Sequence, residues 1–303
     1  MACTPEPTPL LRVGTNLWPG YELLFLARDL GYLDDSIRLV EYASASQALR
    51  AYRSGMIEAA CLTLDELVLL ESQSGTGARL VSVFDVSQGA DALLAVPALD
   101  RLADLKGRRL GVEDTALGAF VLARVLERAG LTRADIDLVP LEVNEHERAF
   151  VEGRLDAVIT FEPVRTKLLA RGARVLFDST QMPGEIVDVL VVGTEPLSRQ
   201  TSQVRTILRG HFRALEYLRA QPEDAARRLA RRQGVTAAEM LESLRGLQFP
   251  DLKDNLALVD GPSATLLTSG QALASVMSER RLLPRPVEVA ALIDASPLRE
   301  LAR

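Results

Sequence analysis

Short apolar runs of β character alternate with amphipathic runs of helical spacing from residue 11 onward, and no other feature constrains the fold as strongly. LRVGTN (11–16) reads as a strand. YELLFLARDLGYL then places Leu23, Leu26, Ala27 and Leu30 on one helical face and reaches Gly31, where a helix C-terminus favours glycine. IRLVEYA, EAACLTL and RLVSVFDVS are further strands; between them SASQALRAYRSG opens on a serine cap and DELVLLESQSG begins at Asp65. Alternation of this kind argues for parallel βαβ units rather than a sandwich or a bundle.

The run DALLAVPAL follows, and a second alternating series extends from RRLGVE to ARVLFDST. VDVLVVGT then resembles DALLAVPAL, each with an aspartate leading an apolar strand of similar length. Two matched strands flanking one α/β unit predict paired crossings between two lobes. After Glu195 the pattern is almost purely helical, with Val204, Leu208, His211, Leu215 and Leu218 on one face of TSQVRTILRGHFRALEYLRA. The expected division is a tether at 1–10, a first lobe at 11–95 plus 189–303, and an inserted second lobe at 96–188.

A chain of 303 residues is long enough for two such domains. Its net charge of −6 carries no basic footprint and argues against nucleic acid as a partner. The tightest basic run, RRLARRQG, has helical spacing and reads as a solvated face. No apolar run approaches the ~18 residues of a membrane-spanning helix. There is no P-loop and no G-x-S-x-G elbow, and GRRLGVEDTALG lacks the glycine spacing of a dinucleotide site. HERAF starts like a zinc-binding helix but ends in Phe150, and with two histidines and two cysteines in all, neither a metal centre nor a cofactor is expected. Cys61 lies in an apolar run and His211 in the apolar phase of its helix, so both read as core residues.

In open parallel sheets, ligands sit beyond the carboxyl ends of the strands. Those ends carry Asn16, Trp18 and Tyr21; Ser44 and Ser46; Thr63 and Asp65; and Asp85, Ser87 and Asp91. In the second series they carry Thr115, Glu145 and His146, then Thr160 and Glu162, and the return strand begins at Asp188. Each has a structural alternative. Ser44, Asp65 and Thr115 have the character of helix caps, Glu162-Pro163 of a helix start, and Trp18 of a cover over the edge of the first lobe. Their convergence on one region is what predicts a binding cleft, with Trp18 and Tyr21 as one wall.

The runs RVGTNLWPGYELLFLARDLGYL, EYASASQALRAYRSGMIEAACLTLDE, LKGRRLGVE, GRLDAVITFEP and VDVLVVG together resemble the solute-binding proteins of ABC importers, in particular the nitrate/sulfonate/taurine group that also contains thiamine-precursor binders. The resemblance covers about residues 11 to 220. It implies a type II periplasmic-binding fold of α/β class: two lobes, two crossing strands, a helical C-terminal segment on the first lobe, and a small-molecule ligand clamped between the lobes. It further implies a monomer that delivers this ligand to an ABC permease and performs no chemistry on it. The WPGY turn matches the aromatic mouth of that cleft, and SAS matches the loop whose serine and backbone amides meet the ligand. Small Ala2, Cys3 and a Thr/Pro/Glu tether resemble the processed start of a bacterial lipoprotein, so a periplasmic or cell-surface protein with lipid on Cys3 is expected; an ordinary terminus is the alternative.

The charges depart from the group's pattern. Its oxyanion binders use hydroxyls, backbone amides and basic side chains, whereas here Asp65, Asp85, Asp91, Glu162 and Asp188 face one nearby basic candidate, Arg165. Buried carboxylates without cations raise one another's pKa, and a tryptophan face attracts a cation. An amine or other cationic ligand is therefore expected. A sulfonate or taurine-type ligand is the alternative, as is an enzyme of thiamine-precursor or menaquinone biosynthesis on the same fold, or the sensor module of a signalling system.

Overall fold

In a computed structural model describing residues 10–261 and 264–303, the predicted strands form where apolar, β-branched runs meet turn residues, and they segregate into two sheets. All but Leu10 of the tether expected at 1–10, and the lipidation expected on Cys3, lie outside the described residues. Strands β1 (Leu11–Thr15), β2 (Ile37–Glu41), β3 (Ala59–Thr63) and β4 (Ala78–Ser87) belong to the first sheet. Strands β5 (Asp91–Ala95), β6 (Arg109–Val112), β7 (Asp137–Pro140), β8 (Ala157–Phe161) and β9 (Arg174–Asp178) form the second. β10 (Val187–Gly193) and the short β11 (Leu247–Gln248) return to the first. The orders are β11-β4-β10-β3-β1-β2 and β7-β6-β8-β5-β9.

Within the first sheet β1, β2 and β3 run parallel, as the alternation predicts. β10 lies antiparallel between β3 and β4. In the second sheet β6, β7 and β8 are parallel, and β5 is antiparallel between β8 and β9. The two matched runs thus each insert one antiparallel strand among parallel ones, and the short β11 also runs antiparallel to its neighbour β4. This moves the expected boundary: β5 pairs wholly within the second sheet, and Val187 and Asp188 already pair with Val86 and Asp85 in the first. The chain crosses at 88–90 and at 179–186, because an aspartate-led strand pairs from its first residue. Ser87 and Ser179 fasten the two crossings, their hydroxyls 2.8 Å apart, while the Ser87 hydroxyl accepts from the Asp91 amide and the Ser179 hydroxyl from the Gly89 amide.

Two apolar clusters cover opposite faces of the second sheet, and one larger cluster joins the first sheet to the C-terminal helices. The helix Thr201–Ala220 packs on the helix Glu22–Asp29, burying Val204, Leu208, Leu215 and Leu218 as its periodicity predicts. His211 is a core residue, stacked on Phe84 at 4.1 Å between ring centroids, and burial lowers its pKa to about 3. Cys61 is likewise buried and free.

One part of the basic run is not solvated. Arg227 and Arg228 pair with Asp224, but Arg232 turns inward over the Phe25 ring and donates to the buried Glu22 at 3.0 Å. Gln233 donates to the other Glu22 oxygen at 2.9 Å. Even so, burial raises Glu22 to about 7. These contacts lock the helix Pro222–Gln233 onto the first lobe, and a helical face alone does not foretell them.

Candidate functional site

β1 ends at Thr15, and the next turn carries Asn16, Trp18 and Tyr21 over the carboxyl ends of the first sheet. Pro19 begins the turn, where its missing N–H has no partner to lose. Gly20 is required by close approach, since a Cβ there would collide with the Asp85 carboxylate. Trp18 Nε1 donates to Asp85 Oδ2 at 3.2 Å, and Tyr21 Oη donates to Asp188 Oδ1. Asp85 and Asp188 are cross-strand partners on β4 and β10, so the turn is pinned to two adjacent acids.

Facing it across the lobe boundary, Phe161 at the end of β8 meets Trp18 edge-to-face, with centroids 5.5 Å apart and planes at 82°. Between the lobes lies a cavity of about 20 Å³, room for about one water molecule. Asn16, Trp18, Tyr21, Thr63 and Asp188 line it from the first lobe, and Asp91 and Phe161 from the second. Six of these seven are named by the sequence reading; Phe161 is the one it passed over.

The cavity's electrostatics are acidic. Asp91 Oδ2 and Asp188 Oδ2 are buried with no hydrogen-bond partner among the described residues. Burial raises Asp91 to about 7 and carries Asp188 well above the carboxylate range, with the neighbouring Asp85 adding to the Asp188 shift. Asp85 is raised to about 8 and Asp65 to about 6, again by burial. Glu66, a lining residue that the sequence reading missed beside Asp65, is raised to about 8 by burial and then by Asp65, while accepting from the Thr63 amide at 3.1 Å. Asp65 itself and Asp85 lie behind the wall rather than on it.

Other expected site residues are engaged elsewhere. Ser44 caps the helix Ala45–Arg53, accepting from the Gln47 amide at 3.3 Å, and Thr115 caps the helix Ala116–Ala129, accepting from the Gly118 amide at 3.1 Å. His146 and Thr160 are buried against each other at 3.2 Å, and the second ring nitrogen of His146 lies 3.2 Å from the Leu141 carbonyl. Burial lowers His146 to about 4, so it is a neutral structural residue of the second lobe. Glu145 pairs with Arg148 on its own helix. Ser87 belongs to the crossing already described. Each of these sits near a strand end in sequence, but none of them lines the cavity.

Glu162 ties the lobes together. Its carboxylate accepts from Arg165 at 3.0 Å, from the Thr166 amide and hydroxyl, and from Ser243 of the first lobe at 3.2 Å. Arg165 is thereby paired, and among the described residues no basic side chain lines the cavity. Ser46 is also a cross-lobe contact. Its amide and hydroxyl both donate to Glu113 Oε1, at 3.3 and 3.0 Å. Glu113 follows β6 directly and was missed, although the strand-end rule applied at RRLGVE names it. Beside it Glu142 accepts from Gln47 at 2.8 Å.

No group of histidine, cysteine and acidic residues among the described residues has the arrangement of a metal site. No described helix is long and apolar enough to cross a membrane.

The sequence pattern of the family described as NMT1/THI5 like matches residues 18–225, more than half of the chain. The chain belongs to the NMT1/THI5-like family. Among curated relatives of this family member is an Escherichia coli (strain K12) protein named for binding aliphatic sulfonates, 24% identical over 280 residues, covering 91% of this chain and 84% of the relative. Among solved structures, the alkanesulfonate-binding protein SsuA from Xanthomonas axonopodis pv. citri, bound to MOPS, superposes with a TM-score of 0.81 at 23% identity, covering 96% of this chain and 99% of that one. The desulfurization enzyme DSZB superposes with a TM-score of 0.69 at 18% identity, covering 97% and 99%. The two-lobed periplasmic-binding fold that the motifs imply is therefore the observed one, and the same fold also carries an enzyme.

Proposed function

We propose that this NMT1/THI5-like protein is the solute-binding component of an ABC importer, working on the outer side of the membrane and closing on a small aliphatic sulfonate that also carries an amine. The observation that carries the reading is the cavity between the lobes, where an aromatic wall meets carboxyls whose oxygens have neither a hydrogen-bond partner nor a cation among the described residues. A relative named for aliphatic sulfonate binding, matching over 91% of the chain, supports the sulfonate end. The acidic lining supports the amine end, since an ammonium supplies the donors that the Asp91 and Asp188 oxygens lack. MOPS, the molecule bound to the Xanthomonas protein, is itself a propanesulfonate bearing a tertiary amine.

Asp91 is the counter-ion of the ammonium in this reading. Of the lining carboxyls it is the least raised, to about 7, so it ionises at neutral pH at the smallest free-energy cost. The expectation of an amine or other cationic ligand gives way here to its alternative, a sulfonate or taurine-type ligand, with the amine kept as one end of the proposed molecule. The lobes close when one molecule bridges them, because hydrogen bonds from both sides replace lost solvation. No bond of the ligand is made or broken.

Thermal unfolding with 2-aminoethanesulfonate, ethanesulfonate and ethylamine tests the reading. A ligand present at 100 times its Kd stabilises by about 2.7 kcal/mol. The aminosulfonate is expected to raise the melting temperature most. A response to ethylamine equal to that of the aminosulfonate removes the sulfonate from the proposal, and silence from all three removes the ligand class.

A further inference from the structure

The helix Ala45–Arg53 presents its N-terminus to the lobe boundary. Ser44 satisfies the Gln47 amide, and Ala45 lines the cavity. The Ser46 amide and hydroxyl point outward from this first turn and converge on one oxygen of Glu113, which belongs to the opposite lobe and is 5% exposed. Backbone N–H groups and the helix dipole make such a terminus favourable for an anion. Here the protein supplies the anion from its own second lobe.

Two further facts bear on what this contact does. The cavity beside it has room for about one water molecule, so the closed arrangement joined by Glu113 leaves no space for an organic sulfonate. Among the described residues Glu113 has no basic partner within ion-pairing distance, and its donors across the boundary are those of Ser46. Burial raises its pKa, and the Ser46 hydrogen bonds oppose that shift.

We infer that Glu113 is a built-in competitor for the anionic end of the ligand: its carboxylate occupies the N-terminus of the helix Ala45–Arg53, holds the lobes together in the ligand-free protein, and must leave before a sulfonate takes the same donors. This rests on the sulfonate reading of the cleft for its ligand but not for its effect on the lobes. A competing closed state lowers apparent affinity by the fraction of protein it occupies. Glu113 thereby sets a threshold that a weakly bound anion does not cross, and a ligand with a second anchor at Asp91 does. It is a specificity-determining residue rather than a member of the ligand's own shell.

The test uses the full chain with spin labels at the exposed positions Met56 and Val151, one on each lobe, after M56C, V151C and C3S substitution. Pulsed dipolar spectroscopy gives the ligand-free lobe separation, and calorimetry gives the affinity for ethanesulfonate and 2-aminoethanesulfonate, in the parent, Glu113→Gln and Glu113→Ala. Thermal unfolding confirms that each variant is folded, and the near-isosteric glutamine keeps the contact volume if alanine does not fold. The expected result is a longer, broader lobe separation without ligand and ethanesulfonate binding tightened about tenfold or more. A lobe separation and affinity matching the parent in both variants overturn the inference, as does weaker sulfonate binding in a folded variant. If the lobes open but neither sulfonate binds any of the three proteins, the competitor's hold on the lobes stands and the sulfonate reading of the cleft fails.

Discussion

Asp188 and Asp85 face each other across adjacent antiparallel strands, and each is held on one oxygen by an aromatic of the first turn, Tyr21 on Asp188 and Trp18 on Asp85 at 3.2 Å. Two carboxyls so close in a buried site do not both ionise without cost, and burial raises both. The aromatic wall and the acid pair are therefore one unit. Trp18 is 4% exposed and belongs to the first lobe's core, so it lines the cavity and also packs the interior. Both sequence expectations for Trp18, a wall of the cleft and a cover over the edge of the first lobe, describe these contacts.

Replacing Trp18 by phenylalanine keeps a ring against Phe161 and removes the donor to Asp85. Leaving a buried acceptor without its partner costs about 1–3 kcal/mol. Urea unfolding is expected to show a loss in that range. Trp18→Ala, which also empties the ring's volume, is expected to lose about 3–5 kcal/mol. An alanine variant as stable as the parent contradicts the core role of Trp18.

The acid cluster sets the pH dependence of stability. A carboxyl whose folded pKa is raised keeps a proton that the unfolded chain has released, so stability falls as pH rises from the ordinary carboxylate range to the folded value. His146 and His211, lowered to about 4 and about 3 by burial, act oppositely, losing stability as pH falls below about 6.5. Above that pH the histidines are neutral in both states and the acids act alone: Glu22 and Asp91 at about 7, Glu66 and Asp85 at about 8. The free energy of unfolding is thus expected to fall between pH 6.5 and 8, and Asp85→Asn to flatten the slope. A rise across this window contradicts the burial of uncompensated acids.

Asp91→Asn separates the ligand's two ends. Removing one member of a buried charge pair costs about 2–5 kcal/mol of binding. Calorimetry is expected to show 2-aminoethanesulfonate weakened accordingly, while ethanesulfonate, which makes no ion pair, is unchanged or tighter. Stability of the free protein at pH 8 is expected to hold or rise, because an unpartnered carboxylate has been removed. Equal weakening of both sulfonates shifts the role of Asp91 from charge pairing to cavity shape.

Arg232→Met probes the attachment of the helical tail. The variant retains an apolar stem over Phe25 but leaves Glu22 with Gln233 as its remaining donor. A full charge stranded in the core costs about 3–5 kcal/mol. Glu22, already raised to about 7, escapes part of that by taking up a proton. The destabilisation is therefore expected to be larger at pH 8 than at pH 6, as measured by urea unfolding at both.

The strand ends show how far the sequence carries. Asn16, Trp18, Tyr21 and Thr63 follow from one rule, that parallel strands deliver their carboxyl ends to a common edge; Asp91 and Asp188 reach the same edge at the starts of the antiparallel β5 and β10, and the structure brings all six round one cavity. The same rule also selected Thr115, Glu145, His146, Thr160 and Glu162, which the fold uses for caps, a buried pair and a cross-lobe tie. Nothing in one sequence separates these groups, because the choice depends on the rotation of each following helix relative to the other lobe. Phe161 and Glu113 illustrate the converse: both stand at strand ends, and only their partners Trp18 and Ser46, more than sixty residues away, make them part of the site.

Local pattern, period and turn chemistry determined the α/β alternation, the return strand and the helical tail, since each depends on neighbours within a few residues. The matched aspartate-led runs also foretold a double crossing, although the hydrogen-bond partners of β5 and β10 moved its boundary. Tertiary structure alone decided which carboxyls are buried without cations, that Arg165 is already paired, and that Glu113 reaches a helix of the opposite lobe. Burial and charge pairing arise between segments distant in the chain, and the free energy of an acid in a cleft is set by what the other lobe brings to it.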